Sequence, residues 1–246
     1  MTINQKEEIG KIIAGAENIC LIAEDSDLES ISSAMALFYT LKELSKNVNL
    51  IIEKFPQNLN FLAPSVDFIS YPKNFTISIP KKIADIYQIY YEKNDDSLKI
   101  HLTVENGTVK KDDISFYFSE AKPDLIITLK IKNYQELLET KLNSFGFLLD
   151  SPVLNIDSEN SSQNNKNFGR INLINKVSLT EIVLELITVI KGEIINKESA
   201  DCLLAGLMIY TDNFNGDKIT ADIFESAALL MKSGADIKKI NENLKI

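Results

Sequence analysis

The chain has 246 residues, is 45% hydrophobic and carries a formal charge of −9 with a pI near 4.8. That length and apolar content suffice for a full core in one large α/β domain, and an acidic chain without clustered Lys and Arg is excluded from holding double-stranded nucleic acid by its backbone. The longest apolar runs, such as Ile19–Ile22 and Cys202–Ile209, fall far short of the roughly 18 residues a membrane span requires, and the first eight residues contain no signal-peptide core, so no membrane association and a cytoplasmic protein are expected.

Taken along the chain, residues 5–15 read as a short helix, and Ile19–Ile22 suits a strand buried on both faces. A loop of acids and serines follows. Ser32 to Leu44 then sets Ala36, Leu37, Tyr39, Thr40, Leu41 and Leu44 at helical spacing, and Val48–Ile52 forms the next strand before the Pro56 breaker, which predicts a βαβ unit with a parallel, right-handed crossover. Residues 74–118 break that rhythm. Ile77/Ile79, Ile83–Tyr91 and Leu98/Ile100/Leu102/Val104 alternate with a period of two, with turn signals at Asn94-Asp95-Asp96 and Glu105-Asn106-Gly107, and predict an antiparallel β insertion. Buried strands return at Asp124–Leu129 and Val153–Ile156, on either side of a helix at Tyr134–Leu142. Helices are expected at Leu179–Ile190, Ser199–Tyr210, Ala221–Lys232 and Ile237–Leu244, with Gly234 capping the one before last. Residues 160–167 read as a polar loop. The expected fold is a doubly wound α/β domain over 1–246, a mostly parallel sheet with helices on both faces and the β insertion at about 74–118.

The chemistry-bearing stretches sit at strand and helix ends. Ala23-Glu24-Asp25-Ser26-Asp27-Leu28-Glu29 follows the first strand, and Ser32-Ser33 and Ala36-Leu37 enter the helix behind it. Lys130 closes the strand that begins near Asp124. Asp157-Ser158-Glu159 follows Val153-Leu154-Asn155-Ile156, with Asn167-Phe168-Gly169 beyond. Asp212 follows Gly206-Leu207-Met208-Ile209-Tyr210-Thr211, and Thr180-Glu181-Ile182 lies between these last two stretches. In this order, over about residues 16–244, they resemble the four motifs of the DHH phosphoesterase superfamily, which includes RecJ-like exonucleases, nanoRNases of the bifunctional oligoribonuclease and phosphatase type, and cyclic-dinucleotide phosphodiesterases. The resemblance puts Asp27 at the first motif's leading Asp, Glu29 at its second and Ala23 at its His. Lys130 stands at the second motif's Asp. Asp157 matches the third motif's Asp, Ser158 and Glu159 replace its two histidines, and Asp212 matches the fourth. The smaller C-terminal domain that family members of this type carry is expected to be missing, since the chain stops at Ile246.

What the resemblance implies for chemistry turns on those replacements. The family holds two divalent metals with His and Asp, and a charged lysine has three donors and no lone pair with which to ligate. The expected protein is therefore a catalytically degenerate homologue, a pseudoenzyme with a binding or scaffolding role and no metal or cofactor, in which Lys130 stands in for the metal among Asp27, Asp157 and Asp212. One alternative is an active metal-dependent phosphoesterase on short oligonucleotides or cyclic dinucleotides, with Mn²⁺ or Mg²⁺ held by Asp27, Glu29, Asp157, Glu159 and Asp212. A second alternative is a nucleotide-sensing module without hydrolysis. A protein partner or a homo-oligomer is the expected association, through the insertion that bears Tyr87, Tyr90 and Tyr91.

Other residues carry no such signal. There is no Gly-x-Gly-x-x-Gly or P-loop stretch, and a single histidine, His101, leaves no Ser-His-Asp arrangement and reads as an ordinary strand residue. Cys20 and Cys202 lie in apolar segments and are expected as buried free thiols. The pairs Lys81-Lys82 and Lys110-Lys111 read as solvated surface.

Overall fold

The computed structural model describes residues 1–52, 55–63, 73–120, 122–140, 151–158, 167–192 and 194–244. In chain order the elements are α1 (Ile3–Gly15), β1 (Asn18–Ala23), α2 (Leu28–Glu43), β2 (Asn47–Ile51), β3 (Lys73–Ser78), β4 (Ala84–Lys93), β5 (Leu98–Gly107), β6 (Ser115–Glu120), β7 (Leu125–Leu129), α3 (Tyr134–Thr140), β8 (Val153–Ser158), β9 (Ile171–Asn175), α4 (Leu179–Lys191), α5 (Lys197–Tyr210), α6 (Ala221–Lys232) and α7 (Ile237–Leu244). A 3₁₀ helix at Gln57–Leu62 follows Pro56. They group into two compact units, one of residues 1–71 and 122–246, the other of residues 72–121.

The larger unit is built on a five-stranded parallel sheet of order β2-β1-β7-β8-β9. Alternation along the apolar strands divides the core into two layers, as expected for a sheet buried on both faces. Ile19 and Leu21 of β1 and Leu125 and Ile127 of β7 join the main core with Ile9 of α1, Met35 of α2, Ile182 of α4 and Leu203 of α5. Cys20, Ile22 and Ile126 face the other way and pack with Tyr134 and Leu137 of α3. Helices thus cover both faces, and the strand order reverses between β1 and β7, which makes the sheet doubly wound. Both cysteines are buried.

In the smaller unit β3 pairs antiparallel with β6, and β4 pairs antiparallel with β5 to form a two-stranded ribbon. The Asn94 side chain closes the ribbon's turn by accepting from the backbone N–H groups of Asp96 and Ser97. Lys81, Lys82, Lys110 and Lys111 are exposed.

Several boundaries differ from the sequence expectation. Helix α2 starts at Leu28, four residues before Ser32, because Asp27 caps it and draws the loop of acids and serines into its first turn. Strand β8 runs on to Ser158, so Asp157 and Ser158 belong to the sheet itself. The Glu105-Asn106-Gly107 stretch is no turn but the end of β5, where a Cβ on Gly107 (φ +91°) would meet the Ile83 carbonyl oxygen at 2.2 Å. Strand β9 has no counterpart in the sequence reading. Residues 141–142 of the expected third helix and 160–166 of the polar loop lie outside the described residues. Among the described residues no helix is long and apolar enough to cross a membrane.

Candidate functional site at the carboxyl edge of the sheet

In an open parallel sheet the loops at the strands' carboxyl ends, where the strand order reverses, form the natural ligand crevice. Here that point lies between β1 and β7. The chain leaving β1 turns back at once, with Glu24 N–H donating to the Leu129 carbonyl at the end of β7 and Asp27 N–H donating to the Glu24 carbonyl. Asp27 Oδ1 then accepts the Ser30 N–H at 2.8 Å, which caps α2. Ser30 Oγ donates to the Leu129 carbonyl at 2.8 Å and accepts from Glu24 N–H at 3.1 Å, tying the loop after β1 to the end of β7.

Lys130 is the residue immediately after β7. Its backbone is left-handed, at φ 60°, and its N–H still donates to the Ile156 carbonyl of β8 at 2.9 Å. Its ammonium lies 2.7 Å from Asp27 Oδ2 and 3.1 Å from Glu29 Oε2. Glu29 is almost fully buried, with 3% of its surface exposed. Its second oxygen, Oε1, accepts from the Thr180 N–H at 3.2 Å and the Thr180 hydroxyl at 3.3 Å. Thr180 lies in the first turn of α4, where unpaired N–H groups and the helix dipole favour an anion. Burial raises the Glu29 pKa above the usual carboxylate value, against the pull of Lys130 and of the Thr180 N–H. Burial works to lower the Lys130 pKa, but the charges of Glu29 and Asp27 and the hydrogen bonds they accept outweigh it and hold the ammonium above the ordinary lysine value.

A cleft of about 270 Å³ opens over this triad, lined by Ser26, Asp27, Leu28, Glu29, Lys130, Ser158, Ile209, Tyr210 and Lys218. The structure therefore brings together Asp27, Glu29, Lys130 and Ser158. Asp157 is buried at the end of β8 and does not line the cleft. Asp212 is exposed, also outside that lining, and opens three successive left-handed residues, Asp212, Asn213 and Phe214, at φ 51°, 54° and 57°. Glu159 lies outside the described residues. His101 belongs to the smaller unit, stacked on Tyr90 across the ribbon at 4.6 Å. Sequence reasoning did not single out Tyr210 or Lys218 for the cleft. Lys218 Nζ lies 4.6 Å from the centre of the Tyr210 ring, and burial, followed by the Glu29 and Glu181 charges, raises the Tyr210 hydroxyl above its usual value. No local pattern marks either residue, since each reaches the cleft only through the packing of α5 and the turn behind it. Among the described residues no group of three or more His, Cys, Asp or Glu side chains converges as a metal site requires.

No protein-family model matches the chain, and no curated protein matches its sequence. Among solved structures, an exopolyphosphatase-related protein from Bacteroides fragilis superposes with a TM-score of 0.67 at 17% identity, over 99% of this chain and 60% of that one. Exonuclease RecJ bound to manganese gives a TM-score of 0.43 at 14% identity, over 95% of this chain and 48% of that one. RecJ from Thermus thermophilus in complex with Mn²⁺ gives 0.41 at 11%, over 98% and 38%. The chain shares its fold with the Bacteroides protein and spans 60% of that protein's length.

Proposed function

We propose that this chain is a catalytically degenerate homologue of the DHH phosphoesterases, a pseudoenzyme whose role is binding or scaffolding, in association with a protein partner or with itself. The observation that carries the reading is the Lys130 ammonium, within hydrogen-bonding distance of both Asp27 and Glu29. A two-metal phosphoesterase needs free carboxylate oxygens around a pair of cations, to activate a water and clamp the phosphoryl group. Here Asp27 is committed to the α2 cap and to Lys130, and Glu29 to Thr180 and to Lys130. That donor set does not fit a divalent cation, because a fixed positive charge already neutralises it and repels a second one.

The test is calorimetric titration of the metal-stripped protein with Mn²⁺ and Mg²⁺, alongside Asp27→Ala/Asp157→Ala. The expected result is no binding at micromolar concentrations in either form. Micromolar binding that the double variant loses would overturn the reading in favour of an active enzyme with an all-oxygen site. A second reading, a cleft that senses a nucleotide without hydrolysing it, is favoured by one observation: Lys218 and Tyr210 line the cleft and are not part of the Lys130 triad. A thermal-shift titration with dinucleotides separates the two, since a ligand at about 100 times its Kd stabilises by about 2.7 kcal/mol.

A further inference from the structure

The ribbon of β4 and β5 leaves much of its apolar surface uncovered. From Gln88 onward its register sets Ile89 opposite Leu102, Tyr91 opposite Ile100 and Lys93 opposite Leu98, all on one face, while Tyr90, Glu92, Lys99 and His101 share the other. On the first face Ile89 is 67% exposed, Tyr91 72%, Leu98 60% and Ile100 47%. An isolated two-stranded ribbon is at best marginally stable in water, and an unpaired strand edge is a template for another strand. Among the described residues the outer edge of β5 pairs with nothing.

The sequence of β5 is self-complementary about Leu102. A two-fold axis that sets Leu102 against its copy in an antiparallel pair also sets Ile100 against Val104, His101 against Thr103 and Lys99 against Glu105, each twice. From Lys99 to Glu105 every facing pair is then apolar on apolar, polar on polar, or opposite in charge, which is the arrangement that stabilises cross-strand neighbours, and only at the strand's ends does Leu98 meet Asn106. In the ribbon itself Lys99 faces Glu92, whereas Glu105 faces no residue of β4 in the register, so the second copy supplies the cation it lacks. The same operation on β4, centred on Ile89, drives Glu92 against Ile86; the ladder's two irregularities leave one unpaired residue on each strand, Tyr87 on β4 and Glu105 on β5.

We propose that two copies of this chain join by antiparallel pairing of their β5 edges about Leu102, giving a four-stranded sheet of order β4-β5-β5-β4. A closed two-fold interface of this kind uses one patch twice and leaves no β5 edge free for further growth. Pairing takes the ribbon past the two-strand limit and seats Ile100, Leu102 and Val104 of one copy beside Val104, Leu102 and Ile100 of the other. The inference deepens the scaffolding reading by naming its partner, and its test reads assembly rather than metal binding. A chain that binds Mn²⁺ leaves the dimer standing, and a monomeric chain leaves the degenerate metal site standing.

The test is sedimentation velocity of the full chain from low to high micromolar concentration, with Lys99→Glu, Glu105→Lys and the double swap Lys99→Glu/Glu105→Lys. These are exposed positions, and circular dichroism confirms that each variant is folded. The expected result is a wild-type dimer, a roughly tenfold weaker dimer for each single swap, where two attractive pairs become two repulsive ones, and recovery in the double swap. A wild-type monomer throughout the range overturns the proposal, as does a dimer indifferent to the single swaps. So does a dimer weakened by Lys93→Asp and restored by adding Asp85→Lys, which would place the joint on the β4 edge.

Discussion

Removing the Lys130 ammonium would strand the Glu29 carboxylate, which water reaches over only 3% of its surface. Breaking a buried ion pair from one side costs about 3–5 kcal/mol, because the remaining charge keeps its desolvation penalty. Lys130→Met is expected to lose that much in urea unfolding at neutral pH, and adding Glu29→Gln to recover about half of it or more, a coupling that a double-mutant cycle reads directly. If the two substitutions are simply additive, the triad does not hold the site together. The pH dependence follows from the same geometry. The folded-state pKa of Lys130 is raised above the ordinary 10.5, so its stabilisation is intact below 10.5 and is lost as pH rises through the raised value. The gap between wild-type and Lys130→Met unfolding midpoints should therefore narrow only above that point. At this scale the sequence offered Asp27, Glu29 and Lys130 as candidates but not what they touch. Thr180 is 151 positions from Glu29, and no spacing rule predicts that its N–H would hold a carboxylate.

Among the elements, β8 and β9 show where the sequence was hardest to read. The expected strand Val153–Ile156 stopped at Asp157 because an acid and a serine look like a loop, whereas both are buried members of β8. Strand β9, Ile171-Asn172-Leu173-Ile174-Asn175, is short and carries two asparagines, a residue type depleted in strands. Tertiary pairing overrides that preference. Thr128, Asn155 and Asn172 are register partners on β7, β8 and β9, and their side chains form a continuous chain, with Thr128 Oγ1 donating to Asn155 Oδ1 at 3.0 Å and Asn155 Nδ2 to Asn172 Oδ1 at 3.3 Å. Asn172 also holds both backbone groups of Gly169, where an added Cβ would lie 2.7 Å from the Ile171 carbonyl oxygen. Asn155→Ala takes from the buried Thr128 hydroxyl the acceptor it donates to, and is expected to cost about 1–3 kcal/mol in thermal or urea unfolding. The packing of α5 on α4 makes a second prediction. A Cβ on Gly206 would sit 2.5 Å from Thr180 Oγ1, so Gly206→Ala is expected to destabilise by about 1–3 kcal/mol through overpacking, despite alanine's better helix propensity. A stabilised Gly206→Ala would mean that Thr180 yields without disturbing Glu29.

Over the whole molecule, stability is unevenly spread, and the reason lies in where each unit keeps its apolar surface. The larger unit holds its strands in a double-sided core, with Leu21, Ile126, Ile127 and Leu129 fully buried or nearly so. The smaller unit offers β4 and β5 no such cover: apart from Ala84, every residue of the two strands is at least partly exposed. Local opening is cheapest where backbone hydrogen bonds are exposed and few apolar contacts are lost. Native-state hydrogen exchange should accordingly separate two classes of amide. Those of Leu21, Ile127 and Leu154 are expected to exchange only through global unfolding, with free energies that track the urea value and fall together in Lys130→Met. Those along Ile89–Tyr91 and Ile100–Thr103 are expected to exchange through opening of the ribbon alone, orders of magnitude faster and unaffected by Lys130→Met. Ribbon amides that shift with Lys130→Met would mean that the ribbon and the parallel sheet unfold as one cooperative body, and that the lysine at the sheet's carboxyl edge stabilises both.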